Sequence, residues 1–178
     1  SLFFEYVRIL REIQVHSPNV VFILENVKMS KKNQNIISQE LGVEPVEINA
    51  SLVSAQNRRR LFWCNKPIRQ PQDLGLVMND ILEDGFVSDR NKSFCIDANY
   101  WKGGNLKSYF EKHRRQLVFD RTASISMNCD REQWRKLTVK ECERLQGMKD
   151  NYTKYDSTGK IIANTHRYKA IGNAFNVP

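Results

Sequence analysis

Apolar and polar positions change period several times along the 178-residue chain, and each change marks an element. "SLFFEYVRILREIQV" places Leu2, Phe3, Tyr6, Ile9, Leu10 and Ile13 at helical spacing, and the run stops at Ser17-Pro18. "VVFIL", residues 20–24, has the length and β-branched content of a fully buried strand. That reading puts Glu25 and Asn26 where a strand ends and a loop begins. "KKNQNIISQELG" predicts a second helix with Gly42 as its stop. Helix, strand, loop, helix is one turn of an open α/β sheet, and such sheets bind ligands outside the carboxyl ends of their strands. "EPVEINAS" and "RLFWCN" then read as two hairpin strands joined by a polar connection.

From Pro67 to Arg135 the pattern loosens. "KPIRQPQDLG" predicts an irregular crossing, "MNDILEDG" a short helix, and "SFCIDANYW" a weak alternation before the turn signal "KGGN". "NLKSYFEKHRRQL" puts Leu106, Tyr109, Phe110 and Leu117 on one helical face, and "RTASISMN" alternates like a strand. This stretch reads as a small mixed subdomain inserted into the sheet domain. Order returns with "KLTVKECERLQG", where Thr138 and Glu141 form a capping box and Gly147 closes the helix. "YDSTGK" is a turn, and "IGNAFNVP" brings Gly172, Asn173 and Ala174, small residues that permit close backbone approach to a ligand.

Composition narrows the class. The chain is 40% hydrophobic and 27% charged, as ordinary soluble proteins are, and it can build a sizeable core. No apolar run approaches the roughly 18 residues that span a membrane. No signal peptide is visible, and Ser1 opens inside a helix, so further chain is expected before it. The four cysteines, Cys64, Cys95, Cys129 and Cys142, form no CxxC pair, which argues against a metal site or a disulfide framework. A net charge of +8 points to a polyanionic partner.

The charge is uneven, and it gathers near candidate chemistry. "AQNRRRLFWCNK" sends Arg58 and Arg60 to one face of a strand and Arg59 to the other. Two guanidiniums beside a strand-end Glu suit an anion or a planar heterocycle. A solvated sheet edge is the alternative. Lys102, Lys107, Arg114 and Arg115, near Tyr100 and Trp101, suit phosphate contacts, with a solvated helix face as the alternative.

"LENV" after a strand, "QNRRR" at a hairpin strand, "KLTVKECERLQG" and "IGNAFNVP" occur in that order across nearly the whole chain. The set resembles the C-terminal half of the DNA cytosine-5 methyltransferases, nearest to phage and bacterial members related to the animal de novo enzymes. The resemblance implies an α/β fold: the C-terminal part of a Rossmann-like, S-adenosylmethionine-dependent methyltransferase sheet with an inserted target-recognition subdomain. Residues 1–66 and 136–178 would belong to the catalytic domain and 67–135 to target recognition. Double-stranded DNA is the implied partner, and the methyl group would pass from S-adenosylmethionine to C5 of a flipped-out cytosine. Glu25 and Arg60 match the catalytic carboxylate and arginine at the base. Asn26, Gln56 and Arg58 match its surroundings, and Asn173, Ala174 and Phe175 match the segment closing over the cofactor's methionine part. The implied location is the cytoplasm of a bacterial or phage-infected cell, or the nucleus of a eukaryote.

The departures carry equal weight. The family's nucleophile lies in a Pro-Cys loop, and none of these cysteines follows a proline. The Gly-rich cofactor loop and the acid that holds its ribose are also absent from these 178 residues, while "SLFFEYVRIL" resembles the end of the family's fifth motif. The expectation is therefore a fragment that is inactive alone. Its apolar edge beside "VVFIL" is left to pair with a missing N-terminal half or with another copy. The alternative is a non-catalytic DNA-binding or regulatory relative of these enzymes.

Overall fold

A computed structural model describes residues 2–176, and they divide into two units, 2–49 with 59–70 and 50–58 with 71–176. The first holds α1 (Leu2–His16), β1 (Ile23–Val27), α2 (Lys31–Leu41), β2 (Val46–Asn49) and β3 (Arg59–Cys64). Its three strands form an antiparallel sheet in the order β1-β3-β2, which confirms the expected hairpin. Helix α2 starts at Ser30, whose side chain accepts from the Asn33 N–H, and ends at left-handed Gly42. Leu24, Leu61 and Trp63 share one face of the sheet, and residues of both helices, among them Phe3, Ile37 and Leu41, pack on it. Trp63 is fully buried and donates its indole N–H to Ser38 Oγ at 3.0 Å.

The first strand departs from expectation in register and in burial. It covers Ile23–Val27, so Glu25 and Asn26 lie inside β1, opposite Phe62 and Leu61. The stretch before it is held by a side chain instead of a ladder: Asn65 accepts from the Phe22 N–H at 3.1 Å and donates to the Val20 carbonyl at 2.8 Å. Nor is the run fully buried. Val21, Ile23 and Val27 are each more than half exposed, at 58%, 59% and 52%; Ile23 and Val27 lie on the face of β1 turned away from Leu24, Leu61 and Trp63.

The second unit holds α3 (Met78–Ile81), β4 (Phe86–Val87), α4 (Leu106–Phe110), β5 (Leu117–Asp120), β6 (Trp134–Lys136), α5 (Val139–Leu145) and α6 (Asn164–Asn173). Its strands form a second antiparallel sheet, β4-β5-β6. One core joins Ala55, Met78, Ile96, Tyr100 and Val118 to Leu137, Cys142, Leu145 and Ile171, so residues from 71–135 and from 136–178 share it. A second core gathers Tyr109, Leu117, Phe119 and Trp134.

Three local expectations change here. The helix from Leu106 stops at Phe110, because the cationic run after it turns through left-handed His113 and Arg115, and Leu117 opens β5. "RTASISMN" forms no strand, since the Asp120 carboxylate accepts from both the N–H and the hydroxyl of Thr122 and turns the chain. "SFCIDANYW" likewise runs without a ladder, apart from an isolated bridge at Ser93, into a single turn at Tyr100–Lys102.

Candidate functional site

The sheet of the first unit brings two of the candidate residues together. Glu25 lies opposite Phe62, and Arg60 lies opposite Val27, so the two side chains are diagonal neighbours on one face. Arg60 Nε approaches Glu25 Oε1 to 2.9 Å, with side-chain exposures of 17% and 22%. A pair this far withdrawn from water loses hydration that its attraction only partly returns, so stability alone is a weak reason for it. This face lies opposite the one that carries Leu24, Leu61 and Trp63. Asn26 falls on the core-bearing face, and its Oδ1 accepts from the Val27 N–H at 2.8 Å. Arg59 also turns to that second face, where it and Lys28 meet Glu47 at 3.3 and 3.0 Å. The Lys28 hydrogen bond holds the Glu47 carboxyl below the usual range, against its partial desolvation.

Gln56 and Arg58 belong to the second unit and look inward. Gln56 is fully buried; its Nε2 donates to the Leu145 carbonyl and to Gln146 Oε1, and its Oε1 accepts from the Ile96 N–H. Arg58, 6% exposed, donates to the carbonyls of Ile96, Gly172 and Ala174 at 3.0, 3.4 and 2.9 Å. Its guanidinium thereby clamps the open carbonyls at the C-terminal end of α6, where a cation is favoured. Gly172 has a related reason to be glycine. A Cβ there would lie 2.3 Å from the Asp97 carbonyl and 2.5 Å from Ala98 N, so the close approach is to this chain's own backbone and not to a ligand. Asn173 and Phe175 are exposed and Ala174 is half-buried, while Val177 and Pro178 lie outside the described residues.

Two carboxylates on α5 were not among the sequence candidates. Thr138 accepts from the Glu141 N–H at 3.2 Å and Glu141 accepts from the Thr138 N–H at 2.7 Å, which confirms the capping box. Glu141 also takes a bidentate pair from Arg135, both bonds at 2.8 Å, and the Glu83 N–H at 2.9 Å. Glu143 faces the other way and accepts from the Thr153 and Asn151 N–H groups, the Thr153 hydroxyl and Arg167. Burial alone would raise the Glu143 carboxyl, but these hydrogen bonds outweigh it and hold the group below the usual glutamate range. The repeated acids in "VKECERL" were the available signal; the capping pattern claimed one of them and masked the other.

The basic candidates separate. Lys102 ends the turn at Tyr100–Lys102, and Arg115 Nη1 donates to the Gly103 carbonyl at 2.7 Å, so both flank Gly103-Gly104. Lys107 is exposed on α4, and exposed Arg114 lies 3.7 Å from Asp97. Among the cysteines, Cys142 is fully buried, and burial pushes its thiol well up; burial raises Cys129 as well. Cys64 is half-buried in β3, and Cys95 is exposed with Sγ 3.4 Å from Arg58 Nη1. Among the described residues no group of three or more His, Cys, Asp or Glu side chains could hold a metal ion. No helix among them is long and apolar enough to cross a membrane.

Comparison with known proteins places the chain in a family. A family profile described as C-5 cytosine-specific DNA methylase matches residues 76–178. The Type II methyltransferase M2.ScrFI of Lactococcus lactis subsp. cremoris is 35% identical over 144 residues, which cover 69% of this chain and 38% of that protein. The chain therefore spans well under half the length of that relative. Two solved structures share the fold. The Entamoeba histolytica methyltransferase EhMeth has a TM-score of 0.57 at 14% identity, over 88% of this chain and 58% of that one. The S. pombe Dnmt2 methyltransferase has a TM-score of 0.51 at 15% identity, over 89% and 66%. With more than half of its length matched by the family profile, the chain belongs to the C-5 cytosine-specific DNA methylases.

Proposed function

We propose that this chain forms the base-polarising part of an enzyme that methylates C5 of a cytosine flipped out of duplex DNA. The observation that carries the reading is the Glu25–Arg60 pair, a carboxylate and a guanidinium fixed 2.9 Å apart on neighbouring strands. Neutral cytosine is a poor electrophile, so attack at C6 requires N3 to be protonated or hydrogen-bonded as the adduct forms. The Glu25 carboxyl serves N3 and accepts from the exocyclic amine, and Arg60 meets the O2 side. Arg60 also keeps Glu25 in position until the base arrives. Asn26, on the reverse face, orients the end of β1. Gln56 and Arg58 act by holding the 50–58 connection and the α6 terminus, not by touching the base.

S-adenosylmethionine, when bound, supplies the methyl group. What the end of α6 offers it is the exposed Asn173 carboxamide and the exposed Phe175 ring, since the Gly172 and Ala174 carbonyls are already held by Arg58. Asn173, Ala174 and Phe175 would hold one side of it. These 178 residues contain no Pro-Cys loop, so the thiolate comes from elsewhere in the protein and this chain alone transfers no methyl group. We assign residues 67–135 to target recognition, with Lys102, Lys107, Arg114 and Arg115 toward DNA. The free edge of β1 would pair with a strand from the rest of the protein or from a second copy.

Methyl transfer from labelled S-adenosylmethionine to mixed-sequence duplex DNA tests the reading, using this chain alone and extended upstream. Activity is expected only in the extended form, and Glu25→Gln there should slow transfer by about 10²-fold or more while leaving DNA binding intact. Unchanged turnover in Glu25→Gln would remove the carboxylate from the mechanism. Salt-sensitive DNA binding without transfer in either form would mark a non-catalytic DNA-binding relative.

A further inference from the structure

The second unit carries a hollow of about 480 Å³ whose floor is Gly103-Gly104 and whose walls include Lys102, Arg131, Trp134, Lys136 and Tyr168. Its charge is one-sided. Lys102, Arg131, Arg135 and Lys136 line it, and no aspartate or glutamate does. Arg135 is neutralised by Glu141, its ion-pair partner at 2.8 Å. The other three have no ion pair among the described residues, and Arg115 stands behind them on the Gly103 carbonyl. Other hollows on the chain differ: one includes Glu83 and Asp84, another Glu44 beside Lys66.

The cations are also held in place. The Arg131 guanidinium lies 4.2 Å over the Trp134 ring and donates to the Trp134 carbonyl at 3.0 Å. Lys136 Nζ lies 4.5 Å over the Tyr168 ring and donates to the Trp101 carbonyl at 2.9 Å. Stacking of this kind fixes a long side chain without cancelling its charge. Like charges gathered at one hollow repel one another, and a bound anion relieves that repulsion.

We propose that this hollow holds a phosphodiester of duplex DNA, with Lys102, Arg131 and Lys136 as the contacting cations. The proposal rests on the reading of the chain as part of a DNA methyltransferase and names a backbone contact that sets its register on the duplex. A fork and two ammonium groups at one hollow match a phosphate, while the Trp134 and Tyr168 rings, themselves buried in the core, serve to hold Arg131 and Lys136.

Fluorescence anisotropy of a labelled mixed-sequence duplex, over a salt series with the 178-residue chain, is the test. Lys102→Gln and Arg131→Gln should each weaken binding and lower the slope of log K against log salt by about 0.9, and the double variant by about twice that. Lys160→Gln, exposed and in a distant turn of the sequence, should leave the slope unchanged. Thermal unfolding midpoints equal to the parent's will show that the variants fold. A duplex bound with an unaltered slope in both variants would overturn this proposal and leave the functional reading standing. Displacement of the duplex by polyglutamate as readily as by unlabelled DNA would overturn the phosphate assignment. Absence of salt-sensitive duplex binding by the parent chain would overturn both.

Discussion

Glu143 shows how much a single side chain can organise. Its carboxylate gathers two backbone N–H groups, a hydroxyl and the nearly buried Arg167, and so fixes the 151–153 turn against α5. Because the folded group sits below the ordinary glutamate range, its stabilisation is complete above the unfolded-state value and disappears as pH falls through the folded one. Glu143→Gln should therefore cost about 3–5 kcal/mol at neutral pH, since Arg167 would stay buried without its counter-charge. The gap between parent and variant should narrow as the solution is acidified below the ordinary glutamate range. Urea unfolding at several pH values checks both, and a gap that does not change with pH would show that the carboxylate charge contributes little. The pairing of Glu25 with Arg60 was within reach of the sequence, because a carboxylate and an arginine interrupt otherwise apolar strands. The inward turn of Gln56 and Arg58 was not, since their side-chain partners lie 37 to 116 residues away along the chain.

Among the elements, α6 sets two general tendencies against each other. Replacing glycine by alanine inside a helix ordinarily stabilises by about 1 kcal/mol. At Gly172 the added Cβ would fall 2.3 Å from backbone atoms of Asp97, which cannot swing aside as a side chain would. Overpacking of this kind costs about 1–3 kcal/mol and often more when backbone must move, so Gly172→Ala should lower stability despite the helical gain. A thermal melt decides the sign, and a raised midpoint would mean that the Asp97 segment gives way easily. Elements with local signals were read correctly: the α5 capping box, the α2 stop at Gly42 and the β2–β3 hairpin each depend on neighbours within a few residues. Those that failed were decided by side-chain hydrogen bonds that an apolar pattern does not reveal, one distant and one local. The start of β1 was set by Asn65, about forty residues on, and the strand expected at "RTASISMN" was lost to the Asp120 turn.

At the scale of the whole molecule, the unpaired edge of β1 dominates behaviour in solution. Val21, Ile23 and Val27 are exposed along it, and Phe4, Ile9 and Ile13 are exposed on α1 in the same unit. Sedimentation should show association that grows with protein concentration, and Ile23→Lys should suppress it without lowering the unfolding midpoint, as edge lysines do in natural sheets. A monomer at high concentration would overturn that expectation. The Gln56 carboxamide carries a different consequence. It joins residues 50–58 to Leu145 and Gln146, which lie 89 and 90 positions later. During synthesis the connection can bond Lys92, Ser93 and Ile96 first, but the Gln56 amide group lacks its two α5-end partners until they leave the ribosome, several seconds later at about 5–20 residues per second. A ribosome that stalls before Gln146 therefore leaves the Gln56 amide group without either acceptor and this unit without its closing contacts.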